Sequence, residues 1–277
     1  MSRIDSHQHF WKPQRGDYPW MTDDVDQIRV DFMPVHLRPF LLRHGISETI
    51  LVQCTETIAE TEFLLDLAGR TDFVRGVIGW VDLVGGTALA DIERLASDAL
   101  LLGIRPMVQW LADGWLRNPA LERPMRDLQE RGLVFEALVF PRQIDDLRHF
   151  LNRYPDLDVI IDHGAKPQIR DGQFEPWATA MRAIADNTRA KCKLSGLVTE
   201  ARSDWSVDDL RPYVEHLLAV FGAERLMWGS DWPVSVLAGG YDPWVEATES
   251  LLATLPEGDR EQIWRGTADR AYRRRNH

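Results

Sequence analysis

The chain opens with Ile4-Asp5-Ser6-His7-Gln8-His9-Phe10-Trp11, a short apolar start that runs into a His-x-His pair. Because side chains alternate between the two faces of a β-strand, His7 and His9 are expected to project to the same side. Two imidazoles side by side at the end of a first strand can chelate one divalent cation. Such a pair also arises by accident, so its meaning depends on the rest of the chain.

Two later segments support a functional reading of this pair. They are Ile160-Ile161-Asp162-His163-Gly164 and Met227-Trp228-Gly229-Ser230-Asp231-Trp232-Pro233. Each is an apolar run that ends in a potential metal ligand, His163 in the first and Asp231 in the second, as a barrel strand would deliver it. The three segments together indicate a hydrolase with a metal-type site.

Apolar, β-branched runs alternate with helix-like stretches from one end of the chain to the other. Strands are predicted over residues 4–9, 49–54, 74–81, 103–108, 134–140, 158–163, 190–195 and 225–231. Helical periodicity separates them over residues 60–70, 89–101, 119–131, 144–154, 176–185 and 210–221. Eight strand–helix units in 277 residues predict an α/β protein with a (β/α)8 TIM barrel, forming one domain over residues 1–277.

In barrels of this kind the active site lies at the C-terminal ends of the strands. Polar and aromatic candidates at or just after the predicted strand ends are His7, His9, Gln53, Trp80, Asp82, Gln109, His163, Lys193, Ser195 and Asp231. The loop of residues 10–34 is long enough to lie over this face as a lid, and it equally fits a plug of the barrel mouth.

Tryptophan is unusually frequent, with 11 residues in the chain. Those near predicted strand ends or in the loops that follow are Trp11, Trp20, Trp80, Trp110, Trp115, Trp205 and Trp232. Core filling accounts for most of them. The alternative for two or three is a flat wall for a sugar ring or another small cyclic ligand.

The composition is that of an ordinary soluble globular protein, with 44% hydrophobic and 27% charged residues. A formal net charge of -11 argues against a nucleic-acid partner, and the basic run of residues 273–275 is interpreted as a solvated tail. Only two cysteines occur, Cys54 and Cys192, which fits a reducing compartment. Neither a signal peptide nor a membrane-spanning run is recognised, so a cytoplasmic location is expected. The oligomeric state stays open.

His7, His9, His163 and Asp231 offer three neutral imidazoles and one carboxylate. This set suits one Zn²⁺ or another borderline divalent ion with an open position for water. Asp231 is then the candidate general base. The alternatives are a turn or N-cap carboxylate for Asp231 and a hydrogen-bonded core histidine for His163.

The chain resembles the amidohydrolase superfamily and, within it, the amidohydrolase-2 sugar lactonases of the L-fuconolactonase type. The resemblance extends over nearly the whole chain. It is carried by Ile4–Trp11, by the runs 76–83 and 103–105, by Ile161-Asp162-His163-Gly164-Ala165-Lys166-Pro167, by residues 192–200 and by Trp228-Gly229-Ser230-Asp231-Trp232-Pro233. It implies a (β/α)8 barrel that hydrolyses a carboxylic ester within a ring.

The resemblance also assigns residues. His7 and His9 match the first-strand pair, His163 the sixth-strand histidine and Asp231 the last-strand aspartate. The fourth strand offers no bridging lysine and the fifth has Glu136 but no histidine, so the resemblance implies one metal ion rather than two. Related lactonases include members that work without a metal, which leaves metal-independent catalysis open.

The remaining strand-end residues fit a hydroxyl-rich substrate. Arg105, Lys166 and Lys193 are candidates for stabilising the oxyanion and the carboxylate product. The predicted catalytic residues are Asp231, His163 and Arg105. The candidates for substrate contact are Gln53, Trp80, Asp82, Gln109, Lys166, Lys193 and Trp232, the last by stacking on the ring. For Arg105 and Lys166 the alternative is a structural ion pair.

The sequence thus predicts a lactonase that opens a sugar-derived lactone, with L-fuconolactone favoured, to its aldonic acid by attack of activated water. Two alternatives remain at this stage. One is a metal-dependent phosphodiesterase of the same barrel type, and the other is a catalytically silent sugar-binding barrel.

Overall fold

The computed structural model describes residues 2–273 and contains eight parallel strands that pair in chain order from first to last. The strands are β1 (Arg3–Gln8), β2 (Ile46–Val52), β3 (Val74–Gly79), β4 (Leu101–Ile104), β5 (Val134–Ala137), β6 (Val159–Ile161), β7 (Lys191–Leu194) and β8 (Leu226–Trp228). The last strand returns beside the first, where Gln8 forms a parallel bridge with Trp232. The predicted (β/α)8 barrel is therefore confirmed.

Helices connect the strands and surround the barrel. They are α1 (Pro34–His44), α2 (Ile58–Gly69), α3 (Ala88–Ala96), α4 (Glu122–Arg131), α5 (Ile144–Arg153), α6 (Trp177–Asn187), α7 (Leu197–Glu200), α8 (Val207–Phe221), α9 (Tyr241–Leu252), α10 (Glu257–Glu261) and α11 (Thr267–Ala271). No predicted helix corresponds to α1, α7, α9, α10 or α11. The predicted helix over residues 89–101 is too long, because β4 begins at Leu101.

The observed strands end earlier than the sequence suggests. The predicted strand over residues 158–163 stops at Ile161, and the segment Asp162–Ala165 forms a tight turn in which His163 has a φ of 53°. Asp231 likewise follows β8 with a φ of 54°. These left-handed positions turn the candidate ligands over the barrel mouth instead of continuing the strand.

The interior of the barrel is apolar at its lower level. Each strand except β7 contributes one or two buried aliphatic residues there: Ile4, Ile50, Val52, Ile78, Leu102, Val134, Ile160 and Met227. Ala268, Ala271 and Tyr272, from α11 and the residue after it, pack against this cluster and close the barrel floor. Lys193 on β7 is also fully buried. Polar residues above this floor are therefore isolated from solvent below.

The loop of residues 10–34 packs on a small core of its own. Trp11 and Phe32 pair by two backbone hydrogen bonds of 3.0 Å. The buried members are Trp11, Tyr18, Met21, Ile28 and Cys54, the last from the loop after β2. The Trp20 indole also donates to the Cys54 carbonyl, at 2.7 Å, which ties the loop to the barrel mouth.

Two sequence expectations concern the basic run of residues 273–275 and the lack of a membrane-spanning run. Arg273 is the last residue that the structure describes, so the rest of the basic run predicted to be a solvated tail lies outside the described residues. Within residues 2–273 no helix combines the length and the apolar character needed to cross a bilayer.

Candidate active site

The segment after β8 carries Asp231 to the end of β1. The backbone N–H of His9 donates to the Trp232 carbonyl at 2.7 Å, and that of Asp231 donates to the His7 carbonyl at 2.8 Å. These two bonds hold the segment after β8 directly against β1. The first and last strands, more than 200 residues apart in the chain, thereby bring their side chains to one point.

The ligand atoms of the four predicted metal residues converge. Asp231 Oδ1 lies 3.3 Å from His9 Nε2, 3.7 Å from His7 Nε2 and 3.9 Å from His163 Nε2. The Nε2 atoms of His7 and His9 are 3.2 Å apart, and all four residues are buried. His7, His9 and Asp231 offer ligand atoms that all lie within 4.8 Å of one another, and His163 Nε2 adjoins them beside Asp231. Three imidazole nitrogens and one carboxylate oxygen are the donors of a Zn²⁺ or similar site, so the residues fit such an ion.

Hydrogen bonds on the far side of two rings orient them for this task. His9 Nδ1–H donates to the Val52 carbonyl at 2.7 Å, which leaves the Nε2 lone pair free to face Asp231. His163 Nδ1 lies 2.8 Å from Ser195 Oγ. Partners of this kind fix ring orientation and tautomer in metal centres.

The charge state of the cluster also suits a cation. Burial lowers the pKa of His163 to about 4, and it holds the pKa of His7 well below its usual value, with Lys193 adding to the effect. Burial alone would raise the pKa of Asp231, but the neighbouring imidazoles, His163 first, hold the pKa of this carboxyl far below its usual range. At neutral pH His7 and His163 are therefore neutral and Asp231 is ionised, the forms that bind metal.

A second carboxylate, Asp162, lies next to this cluster and was not among the predicted site residues. With His7 and His163 it forms another group whose geometry could hold a cation. Its two oxygens are however already paired with fixed cations: Oδ1 lies 3.2 Å from Lys193 Nζ, and Oδ2 lies 3.3 Å from Arg105 Nη1. The described residues therefore favour one ion at Asp231 over a second ion at Asp162.

A cavity of about 150 Å³ opens above the cluster. It is lined by His9, Trp20, Cys54, Arg105, Met107, Gln109, Trp110, Leu138, His163, Lys166, Asp231 and Val234. Arg105 reaches it from below, with Nη1 3.2 Å from His7 Nε2 and Nη2 donating to the Gln53 carbonyl. The structure thus places the candidates Arg105, Gln109 and Lys166 in one cavity with His9, His163 and Asp231. Lys166 also forms the expected alternative, an ion pair of 2.9 Å with Glu200.

Two predicted substrate contacts need correction. Trp232 is only 2% exposed, and its ring packs edge-to-face against Phe10 and Phe32, so it is not available for stacking on a ligand. Lys193 is completely buried below the histidines, where its ammonium lies 2.6 Å from Glu136 Oε2. Lys193 lies on β7 and Trp232 lies in the segment after β8, but both side chains point into the core.

Three further candidates lie outside the cavity lining. Gln53 is buried and its amide donates to the Arg105 carbonyl at 2.7 Å. Asp82 is exposed and accepts from the Val84 N–H within its own turn. Trp80 is half-buried beside α2, where its backbone N–H donates to Thr61 Oγ1 at 2.8 Å.

The apolar part of the lining was mostly missed. Met107, Leu138 and Val234 follow β4, β5 and β8 and carry no chemical signature that a single sequence reveals. Trp20 and Trp110 belong to the tryptophans considered as flat walls, and Trp110 is 52% exposed on the cavity rim. Exposure of so large an apolar side chain is the signal that distinguishes it from a core tryptophan.

Comparison with known proteins agrees with this geometry. Residues 4–274 match the model of a protein family described as amidohydrolase. The chain belongs to this family. The predicted resemblance is thereby confirmed over nearly the full length.

Two relatives are similar to this amidohydrolase over nearly their whole length. The chain is 44% identical over 276 residues to an L-fucono-1,5-lactonase of Burkholderia ambifaria, with 98% of this chain and 95% of the relative covered. It is 36% identical over 287 residues to an L-fucono-1,5-lactonase of Burkholderia multivorans, with the same coverage. A crystal structure of an amidohydrolase from Burkholderia multivorans with bound Zn superposes with a TM-score of 0.91, at 36% identity and 98% and 99% coverage.

Proposed function

We propose that this protein is a lactone hydrolase that opens a sugar-derived lactone, L-fucono-lactone in the first place, to the corresponding aldonic acid. The observation that carries the proposal is the Asp231 carboxylate, whose Oδ1 lies within 3.9 Å of the Nε2 atoms of His7, His9 and His163 at the base of a cavity sized for one small ring. Full-length similarity to two L-fucono-1,5-lactonases supports the substrate class. The phosphodiesterase and the silent sugar-binding barrel are not favoured.

The proposed metal centre consists of His7, His9, His163 and Asp231 with one divalent ion, Zn²⁺ by preference. The donor set suits zinc, and a solved relative carries it. When bound, such an ion polarises a carbonyl and lowers the pKa of a nearby water.

The proton transfers fall to Asp231. In the proposed reaction its carboxylate accepts a proton from the attacking water as the water oxygen bonds to the lactone carbonyl carbon. The tetrahedral intermediate then expels the ring oxygen, which takes the proton from Asp231 and leaves as a hydroxyl. The product is a ring-opened acid that ionises at neutral pH. Arg105 provides fixed positive charge for the developing oxyanion, and its Nε has no partner among the described residues.

The cavity wall supports a ring with both polar and apolar edges. Gln109 lines it with an Oε1 that accepts no hydrogen bond from the described residues, which suits a substrate hydroxyl. Trp20 and Trp110 offer flat faces for the ring. Met107 and Leu138 provide apolar surface that would accept the methyl group of a 6-deoxy sugar such as L-fucose.

The decisive experiment measures acid release with a pH indicator from a panel of fresh aldonolactones, using protein as purified, after chelation and after Zn²⁺ is restored. We expect turnover of L-fuconolactone that is lost on chelation and recovered with Zn²⁺. Turnover that survives chelation would support lactone hydrolysis and contradict a role of the metal in it. No hydrolysis of any sugar lactone would refute the proposed function.

We further propose that the enzyme is cytoplasmic and works in L-fucose catabolism. Two buried, unpaired thiols, Cys54 and Cys192, support a reducing compartment. The lactonase relatives support the assignment to sugar catabolism.

A further inference from the structure

A column of polar side chains crosses the barrel interior below the candidate metal site. Lys193 Nζ stands at its centre, 3.1 Å from His7 Nδ1, 3.2 Å from Asp162 Oδ1 and 2.6 Å from Glu136 Oε2. Every one of these side chains is fully buried. The ammonium group therefore joins a histidine of the metal cluster to the carboxylates of β5 and of the turn after β6.

The column ends at the barrel floor. Tyr272, the residue after α11, donates its phenol hydrogen to Glu136 Oε1 at 2.6 Å, and its ring also faces Lys193 Nζ at 5.8 Å. The C-terminal segment that closes the barrel is thus connected through two hydrogen bonds to Lys193, and through Lys193 to Asp162, which faces His7.

Neither catalysis by contact nor stability explains the column. Lys193 and Glu136 are 0% exposed and absent from the cavity lining, so they cannot touch a substrate. A buried ion pair adds little stability over apolar side chains of similar volume, because desolvation offsets the attraction. The neighbouring inward positions show that apolar residues fill this level of the barrel without difficulty.

The bonds of His7 indicate what the column does. Its Nδ1 faces Asp162 Oδ1 at 3.4 Å while Nε2 faces the cluster, the arrangement in which a carboxylate orients a metal-ligating imidazole. In this tautomer the hydrogen on Nδ1 points to Asp162, so Lys193 acts on His7 through Asp162 and not by a hydrogen bond of its own. Asp162 in turn keeps its place because Lys193 and Arg105 hold one oxygen each.

We propose that Tyr272, Glu136 and Lys193 are positioning residues for the metal centre, and that the C-terminal floor of the barrel sets the orientation of His7 through them. This inference rests on the proposed metal centre but not on the identity of the lactone. It predicts that a hydroxyl at the floor of the barrel influences metal affinity at its mouth.

Tyr272→Phe tests the inference, because it removes the hydroxyl that donates to Glu136 and keeps the ring in the floor. Tyr154→Phe is the matched control: Tyr154 is also buried, its hydroxyl has no partner among the described residues, and it is not part of the column. The measurements are zinc affinity of metal-stripped protein by competition with a chromophoric chelator, thermal unfolding, and kcat and KM for the lactone.

We expect Tyr272→Phe to weaken zinc binding about tenfold, at the lower end of the range for residues that orient a metal ligand. The value of kcat should fall with metal occupancy while KM stays near that of the wild type, because the column does not touch the cavity. The control should change neither quantity. Unchanged zinc affinity in Tyr272→Phe, with only a lower unfolding temperature, would assign the column a purely structural role and overturn the inference.

Glu136→Gln provides a second variant if Tyr272→Phe does not fold. It keeps the shape of the side chain and removes the charge that holds Lys193, so we expect a larger loss of zinc affinity than in Tyr272→Phe. A wild-type protein that binds zinc but hydrolyses no lactone would refute the proposed function and leave this inference intact. A wild-type protein that takes up no zinc would overturn the inference while leaving lactone hydrolysis to be judged by its own assay.

Discussion

Asp231 combines two properties at the residue scale that rarely occur together. Its side chain is buried, yet the surrounding imidazoles keep the pKa of its carboxyl below the usual range, so it is ionised at neutral pH. It also sits within 3.9 Å of all three histidine Nε2 atoms. A carboxylate in this position can accept a proton from water beside the cluster.

Asp231→Asn should therefore lower kcat for lactone hydrolysis by about 10²–10⁴-fold, with little change in KM, because the amide cannot accept the proton. Zinc content has to be measured in parallel, since the same residue is a proposed ligand. Asp242→Asn is the control, because Asp242 pairs with Arg43 and His44 on the outer helices and its loss should leave kcat unchanged. Full activity in Asp231→Asn would remove Asp231 from the mechanism.

The loops after the strands, rather than the strands themselves, set the shape of the site. In the loop after β7, Gly196 has a φ of 60°, and a Cβ placed there would lie 2.5 Å from His163 Nδ1. Only a glycine lets this turn pass so close to the imidazole.

Gly196→Ala should displace His163 and reduce kcat on the order of 10²-fold, since a shift of about 1 Å at a catalytic group has effects of that size. Gly172→Ala is the matched control: its φ of 62° carries the same backbone strain, but its Cβ would meet nothing within 4 Å. Assays of both variants separate the collision from the strain. Equal losses of activity would contradict the role of close packing against His163.

A buried carboxyl at the start of α2 couples the loop after β2 to pH. Glu60 Oε2 accepts from the backbone N–H groups of Cys54 and Thr55 at 3.0 and 2.7 Å. Burial nevertheless raises the pKa of Glu60 from 4.5 to about 7. The folded protein therefore binds this proton more tightly than the unfolded chain does.

The free energy of unfolding should accordingly decrease as pH rises from about 4.5 to about 7, by at most about 3 kcal/mol from this group. Below this window Glu60 is protonated in both states and above it ionised in both, so its contribution is constant there. Glu60→Gln should lose this part of the pH dependence in denaturant titrations at pH 4.5 and 7.5. Parallel pH profiles for the two proteins would show that Glu60 does not titrate on unfolding.

At the scale of the whole molecule, the proposed metal centre spans the place where the barrel closes. His7 and His9 belong to β1 and the loop that follows it, whereas Asp231 follows β8, and the described bridge between these ends is the single pair Gln8 and Trp232. An ion at this point links the first and last strands.

Zinc should therefore stabilise the fold as well as support catalysis. A ligand that binds only the folded state adds about 2.7 kcal/mol when its free concentration is roughly 100 times its Kd. Thermal unfolding of metal-stripped protein, with and without added Zn²⁺, measures this, and Asp231→Asn should show little response. An unfolding temperature independent of zinc in the wild-type protein would contradict a metal link across the barrel closure.

The sequence alone determined the barrel and indicated the candidate ligands, because both depend on local patterns. Apolar runs indicate the eight strands, and helical periodicity indicates six of the helices between them. The candidates His7, His9, His163 and Asp231 come from the ends of such apolar runs. The sequence did not determine which strand-end residues face the cavity. Trp232 and Lys193 lie near the C-terminal ends of β8 and β7, where the active site was expected, but their side chains are buried in the core.

Tertiary structure decided this because orientation depends on contacts between distant segments. Strict alternation along β1 would send Ile4 and His7 to opposite faces, yet both point into the barrel, since the pairing with β2 shifts between Asp5 and Gln8. The closure of the floor by Tyr272, nearly 80 residues after Lys193, likewise fixes the buried column only once the chain has folded. The sequence gives the chemical type of each candidate ligand directly. The height of a side chain inside the barrel depends instead on strand register and on the elements that close the two ends of the barrel.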